Sequence, residues 1–265
     1  VGSEMCIRDR NYTGISLDNN NDISRAYNPD RINDGAVLTL RGSFLSFTAR
    51  DNTVSSEKLG KVVLAEGINL FAMNISSGAV RTALLDLGSL EVNPDSTALF
   101  FAPPSGRVGS GFTRIIASGG TALLRGGIIP WANDRNGFLS YVASPDGVDL
   151  GFAPLGTVGF PTYGGTQFAT ADPSLNLRLP GVPGAVPDAG GSLVAGTFAL
   201  NSLVLARTAS GQNLTFTDGN DLLNLSAGVL YIDSPAFTGT LGTAPGNGRL
   251  TAGGSSSAGG VVRLY

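Results

Sequence analysis

Val62-Val63-Leu64-Ala65-Glu66-Gly67 is a short run of strand-forming residues stopped by a glycine, and the run has counterparts on both sides. Upstream stands Leu38-Thr39-Leu40-Arg41-Gly42. Downstream stand Ala83-Leu84-Leu85-Asp86-Leu87-Gly88, Ser202-Leu203-Val204-Leu205 and Leu222-Leu223-Asn224-Leu225-Ser226-Ala227-Gly228. Successive side chains of a strand point to opposite faces, so each run offers one apolar face. The runs recur at roughly 20-odd residues, and a fixed period with a strand and a glycine corner in each unit is the signature of a stacked solenoid. Each coil of such a fold touches only its neighbours, and binding sits on a lateral surface rather than in a cleft.

Composition supports this reading. Charged residues make up 14% of the 265 positions, hydrophobic residues 42%, and glycine occurs 38 times. Low charge with abundant turn formers and apolar β-formers describes an all-β, turn-dense chain. The formal net charge of −3 supplies no electrostatic footprint for nucleic acid, so no nucleic-acid partner is expected. No apolar run reaches the ~18 residues of a transmembrane helix. Histidine is absent, which removes Ser-His-Asp and Cys-His catalysis and histidine metal sites together. The one cysteine, Cys6, has no intramolecular partner for a disulfide.

Residues 1–10, Val1-Gly2-Ser3-Glu4-Met5-Cys6-Ile7-Arg8-Asp9-Arg10, lack the basic and apolar regions of a secretory signal. They resemble the in-frame translation of a sequencing-library adapter. The expectation is a non-native segment on an environmental gene fragment, with residues 11–265 as a β-helix piece of a larger protein.

Residues 11–35 are rich in Asn and Asp, which favour turns. From Ala36 strand, glycine corner, strand and polar loop alternate. Thr113–Ala117 and Ala122–Leu124 are further strand candidates. Over 152–196, prolines at 154, 161, 173, 180, 183 and 187 argue against a central strand. A long Pro/Gly-rich loop excursion is expected there. From Thr197 the alternation resumes, with Leu203 and Leu205, Leu223 and Leu225, and Leu230 and Ile232. Open ends of such a stack expose strand edges, so self-association is expected.

Several stretches carry a family resemblance. Asn33-Asp34-Gly35-Ala36-Val37-Leu38-Thr39-Leu40-Arg41-Gly42 resembles the D-x-A-x-L-x-L-x-G opening of the autotransporter-associated β-strand repeat proteins. Ser55-Ser56-Glu57-Lys58-Leu59-Gly60-Lys61-Val62-Val63-Leu64-Ala65-Glu66-Gly67 is similar to their S-E-x-L-G-x-L-x-L-x-x-G rung. Gly127-Ile128-Ile129-Pro130-Trp131-Ala132, followed by Gly137-Phe138-Leu139-Ser140-Tyr141, resembles their G-I-I-P-x-A … F-x-x-Y block. The resemblance implies a single-stranded right-handed parallel β-helix within a large secreted or cell-surface bacterial protein. It also implies a structural or adhesin-like role, with outer-membrane anchoring through parts outside this sequence. It carries no catalytic residues and no cofactor.

Candidate sites are few. Trp131, Phe138 and Tyr141 are read either as an exposed patch stacking on surface glycans of a host or neighbouring cell, or as solenoid core. Asp146 and Asp149, near Arg135 and Trp131 in sequence, would suit a polysaccharide-degrading alternative on the same scaffold, although Asp146-Gly147 is more simply a turn. Asp18-Asn19-Asn20-Asn21-Asp22 and Asp218-Gly219-Asn220-Asp221 hold oxygen ligands that suit Ca²⁺, but neither has the spacing of a known calcium loop and turn chemistry accounts for them. No metal is therefore expected. Sequons at Asn11, Asn74, Asn213 and Asn224 read as stacked Asn rungs.

Overall fold

The computed structural model describes residues 13–19, 28–50, 54–74, 82–101, 113–135, 137–143, 150–165, 168, 171–180, 197–206, 216, 219–233, 245–246, 248–253 and 263–264. The protein is all-β and is built of stacked parallel coils, a β-solenoid. Two compact units form. The first comprises the chain to Leu124 with Trp131–Arg135 and Leu139–Phe160. The second comprises Arg125–Pro130, Asn136–Phe138 and the chain from Pro161.

The strands of the first unit are β1 (Gly14–Asp18), β2 (Val37–Arg41), β3 (Phe44–Thr48), β4 (Val54–Lys58), β5 (Lys61–Asn74), β6 (Thr82–Val92), β7 (Ser96–Phe101), β8 (Thr113–Ser118) and β9 (Ala132–Asp134). β10 (Gly137–Val142) and β11 (Gly151–Pro154) follow.

Their pairing defines three parallel ladders. The first joins β4, the start of β6 and β8. The second joins β2, the start of β5 and the end of β6. The third joins β1, β3, the end of β5, β7 and β9. Each coil walks from ladder to ladder through a corner. β5 runs for 14 residues because it crosses one corner without breaking, and β6 does so over 11. The crossing residues are Gly67 at φ 69° and Gly88 at φ 60°, a left-handed conformation that glycine adopts without a Cβ clash. Of the glycine stops of the sequence, Gly67 and Gly88 are thus bends within continuous strands, while Gly42, at φ 58°, turns the chain between β2 and β3.

Register stacks like on like. Leu45, Phe71 and Phe100 form one inward row, and Leu17, Phe47 and Met73 another. Leu38 lies over Val62 and Leu40 over Leu64. All ten side chains are buried. Each such side chain contributes roughly 1.5–3 kcal/mol on leaving water. A single coil leaves its inward face half covered, so stability comes from the stack.

The second unit repeats the logic with β12 (Asp172–Pro180), β13 (Thr197–Ala206), β14 (Leu222–Asp233), β15 (Arg249–Ala252) and β16 (Arg263–Leu264), all paired in parallel. β14 pairs with β15 before Gly228 and with β16 after it, and Gly228 has φ 70°. Leu177, Leu203 and Leu230 form an inward row, as do Phe198 and Leu223.

Three expectations are corrected. The stretch 152–196 is not a single excursion. β11 pairs antiparallel with β10, and β12 lies within the second stack as the partner of β13. Pro173 and Pro180 sit at the two ends of β12, where a missing N–H is tolerated. The remainder, 181–196, lies outside the described residues. β1 arises in the stretch read as turns, through the alternation of Ile15 and Leu17. Ala122–Leu124 is not a strand. Gly120–Leu123 forms a 3₁₀ turn, with the Ala122 N–H donating to the Gly119 carbonyl at 2.9 Å.

Candidate functional site

The three aromatic residues singled out in the sequence are inside the protein. Trp131 is 8% exposed, Phe138 0% and Tyr141 2%. Tyr141 is fixed in the first unit by a pair of bonds to one residue: its hydroxyl donates to the Ala117 carbonyl at 2.9 Å and accepts from the Ala117 N–H at 3.3 Å. Its ring meets the edge of Phe152 at 4.9 Å. Phe152 stacks on Phe100 at 4.8 Å, and Phe100 on Phe71 at 5.0 Å. The four rings form one column, each contact adding to the burial energy. Phe138 is held in the second unit. Its N–H donates to the Tyr163 hydroxyl at 3.1 Å, and its ring packs edge-on to Tyr231 at 6.1 Å. The Trp131 carbonyl accepts from the Ala98 N–H at 2.8 Å. As buried groups these residues offer no ring face to a glycan, and the exposed-patch expectation is corrected.

The corners carry a second kind of row. In the first unit the Asn69 carboxamide oxygen accepts the Ser43 N–H at 3.2 Å. Its Nδ2 donates to the Ser96 hydroxyl at 3.0 Å and to the Glu66 carbonyl at 3.2 Å. In the second unit Asn201 Nδ2 donates to Asn176 Oδ1 at 2.7 Å, as does the Ser202 hydroxyl at 2.7 Å. Asn176 Nδ2 donates onward to the Gly126 carbonyl at 2.7 Å. The Thr251 hydroxyl donates to Asn224 Oδ1 at 3.3 Å. Asn224 of the sequon thus belongs to a rung. Apart from the local Asn69–Glu66 bond and the longer Asn176–Gly126 bond, these bonds span 25 to 27 residues, one coil, and they satisfy polar groups that burial would otherwise leave unpaired.

The other expected sites resolve in part. Asp18 ends β1 and Asn19 is buried, while 20–22 lie outside the described residues. Asp221 and Asn220 turn their carbonyls to Arg249, which donates through its N–H at 2.8 Å and through Nη2 at 3.4 Å. Residues 1–10, Asp146, Asp149, Asp218, Asn11 and Asn213 also lie outside the described residues. Among the described residues no group of three or more acidic, histidine or cysteine side chains converges as a metal site would require. No helix among them is long and apolar enough to cross a membrane.

The lateral surface of the first unit is what remains accessible. On the third ladder the side chains alternating with the Leu45–Phe71–Phe100 row face outward. They are Phe44, Leu70 and Leu99 in one row, with Phe101 in the next. Phe44 is 43% exposed and Ile68, nearby on β5, is 70% exposed. The Phe44 ring lies over Gly14, where a Cβ would collide with it. The Arg135 guanidinium lies over the Phe101 ring at 4.1 Å from its centroid, a cation–π contact. The second ladder is more polar outside, with Lys61 paired to Glu91 at 2.6 Å and Arg41 to Glu66 at 3.5 Å. Alternation in the sequence marks both sides of these strands, but it does not say which outward rows cluster.

Sequence reasoning gave Glu57 no role beyond its place in a repeat rung. It is 1% exposed and accepts backbone N–H groups of Arg31 and Ile32. Its parity with Ser55 and Leu59, both buried, was the available signal.

The chain matches no protein-family model, no curated protein sequence and no solved structure.

Proposed function

We propose that this chain is a structural, adhesin-like segment of a large exported bacterial surface protein of the autotransporter-passenger type. The observation that carries the reading is the stack itself: parallel coils with dry inward rows and Asn/Ser corner rungs, whose outward rows, such as Phe44, Leu70 and Leu99, are free to differ without disturbing the core. A rigid stack that presents lateral surface suits display and contact rather than turnover. The motif residues support the same reading, because the glycines closing two of the quoted runs, Gly42 and Gly67, both have positive φ at corners. The carbohydrate-stacking reading rested on Trp131, Phe138 and Tyr141 as an exposed patch, and their burial removes that support.

The test is location and contact. Antibodies raised against the purified chain are applied to intact cells of the bacterium that carries the gene. Surface labelling, and loss of adhesion when Fab fragments are added, is the expected result. Labelling only after lysis overturns the reading.

A further inference from the structure

Glu57 occupies an inward position of β4, in the row Glu57–Leu85–Ile115 whose other members are apolar. Its Oε1 accepts the Ile32 N–H at 2.8 Å and the Arg31 N–H at 3.0 Å, and its Oε2 lies 3.2 Å from the same Arg31 N–H. Those donors belong to the segment 28–36, which contains no strand.

The segment nevertheless follows β4 like a missing coil. Ile32 is buried. Asp34 pairs with Lys58 at 3.9 Å. The Asp34 carbonyl packs on Gly60 so closely that a Cβ there would collide with it. The Ala36 carbonyl accepts the Lys61 N–H at 3.3 Å. Arg31 forks through Nε and Nη2 onto Asn19 Oδ1 at 3.1 and 2.7 Å, and the Asn19 N–H donates to the Thr48 carbonyl at 3.0 Å. The segment is therefore tied to the ends of β1 and β3 as well as to β4.

Among the described strands β4 pairs only with β6. Its other edge is the side on which a further strand would add. Exposed edges of this kind recruit strands from other chains unless something covers them. We propose that residues 28–36 are an edge cap latched by Glu57, and that the latch keeps the β4 edge closed to strand addition by a second copy of this chain. The chemistry fits the task. A side-chain acceptor holds the cap through two backbone donors, so the latch needs no strand geometry in the cap itself.

The test compares Glu57→Gln, Glu57→Leu and Glu57→Ala in the full chain. Gln keeps Oε1 as acceptor and is expected to hold the cap. Leu completes the apolar row with Leu85 and Ile115 but offers no acceptor, so it keeps the stack and loses the latch. Amide exchange at Arg31 and Ile32 is expected to rise at least about tenfold in the Leu and Ala variants, with the amides of Leu85 and Ile115 unchanged. Sedimentation is expected to shift those two variants from wild-type behaviour towards dimer with rising concentration. Wild-type exchange at Arg31 and Ile32 in the Leu variant overturns the latch. Release in the Gln variant equal to that in the Leu variant overturns it too. Fast exchange with no change in association overturns the edge-closing role. Should Ala unfold the chain, the Leu and Gln pair still decides.

Discussion

Asn69 Nδ2 donates to the Ser96 hydroxyl at 3.0 Å, 27 residues further along the chain and one coil away. With the Ser43 N–H on Asn69 Oδ1, one carboxamide bonds three consecutive coils at a single corner. Asn69 is fully buried, so its partners have no water to replace it.

Replacing Asn69 with Leu should therefore cost more than its size suggests. The buried Ser43 N–H loses its Asn69 acceptor, at a cost of about 1–3 kcal/mol, whereas the Glu66 carbonyl keeps the Gly42 N–H at 2.9 Å. Urea unfolding should show a lower midpoint with the slope unchanged.

Phe100 is the middle ring of the Phe71–Phe100–Phe152 stack and is 1% exposed. Phe100→Ala leaves a cavity between two coils and should cost about 3–5 kcal/mol. Phe100→Leu keeps most of the volume but loses two ring contacts, a cost on the order of 1–2 kcal/mol. Thermal unfolding of both variants checks the order. Equal losses would mean that the volume Leu retains counts for nothing, and no loss in Phe100→Leu would mean that ring stacking contributes nothing beyond volume.

Much of this architecture was legible because it is local. The alternation of Leu38 with Leu40 and of Val62 with Leu64 gave the inward rows, and Gly42, Gly67 and Gly88 gave the corners. The Asn corner rungs followed from composition and parallel stacking. What escaped depended on partners a coil or more away. β12 was hidden because six prolines were weighed as a density, whereas Pro173 and Pro180 matter by position, at the strand ends. For Trp131, Phe138 and Tyr141 the core reading was the favoured one and burial agrees with it, but the exposed patch stayed open because only tertiary packing buries a ring. Glu57 stood out only as part of a repeat rung, because its N–H partners lie 25 and 26 residues earlier in a stretch of turn formers.

Glycine positions separate two costs. Gly88 and Gly119 both have positive φ, 60° and 70°. A Cβ on Gly119 meets nothing within 4 Å, whereas one on Gly88 collides with the Leu59 and Gly60 carbonyls. Gly119→Ala should cost only the left-handed conformation, roughly 1–2 kcal/mol. Gly88→Ala adds a steric clash with backbone and should cost clearly more, or prevent folding. Urea midpoints of the two variants measure the difference, and a larger loss at Gly119 would contradict the corner packing.

The pH dependence of stability isolates Glu57. Burial, the largest influence, pushes its carboxyl above the ordinary 4.5. The N–H groups of Ile32 and Arg31 pull it back, the Asp30 carboxylate opposes them, and the Arg31 charge assists them. In the unfolded chain the proton leaves near 4.5, and in the folded chain it leaves later. Between those two points the folded state holds a proton that the unfolded state has lost. The contribution is therefore complete below the unfolded value and disappears as pH rises through the folded one. The cap survives either way, because Oε1 of the neutral acid still accepts from both N–H groups. Glu57→Gln carries the same acceptor without the charge. Urea midpoints of wild type and variant, followed from about pH 4 to about pH 7, should diverge in favour of the variant as pH rises. The opposite trend, with wild type gaining on Glu57→Gln towards neutrality, would show that the buried carboxylate is stabilised as an anion and that desolvation is not its dominant influence.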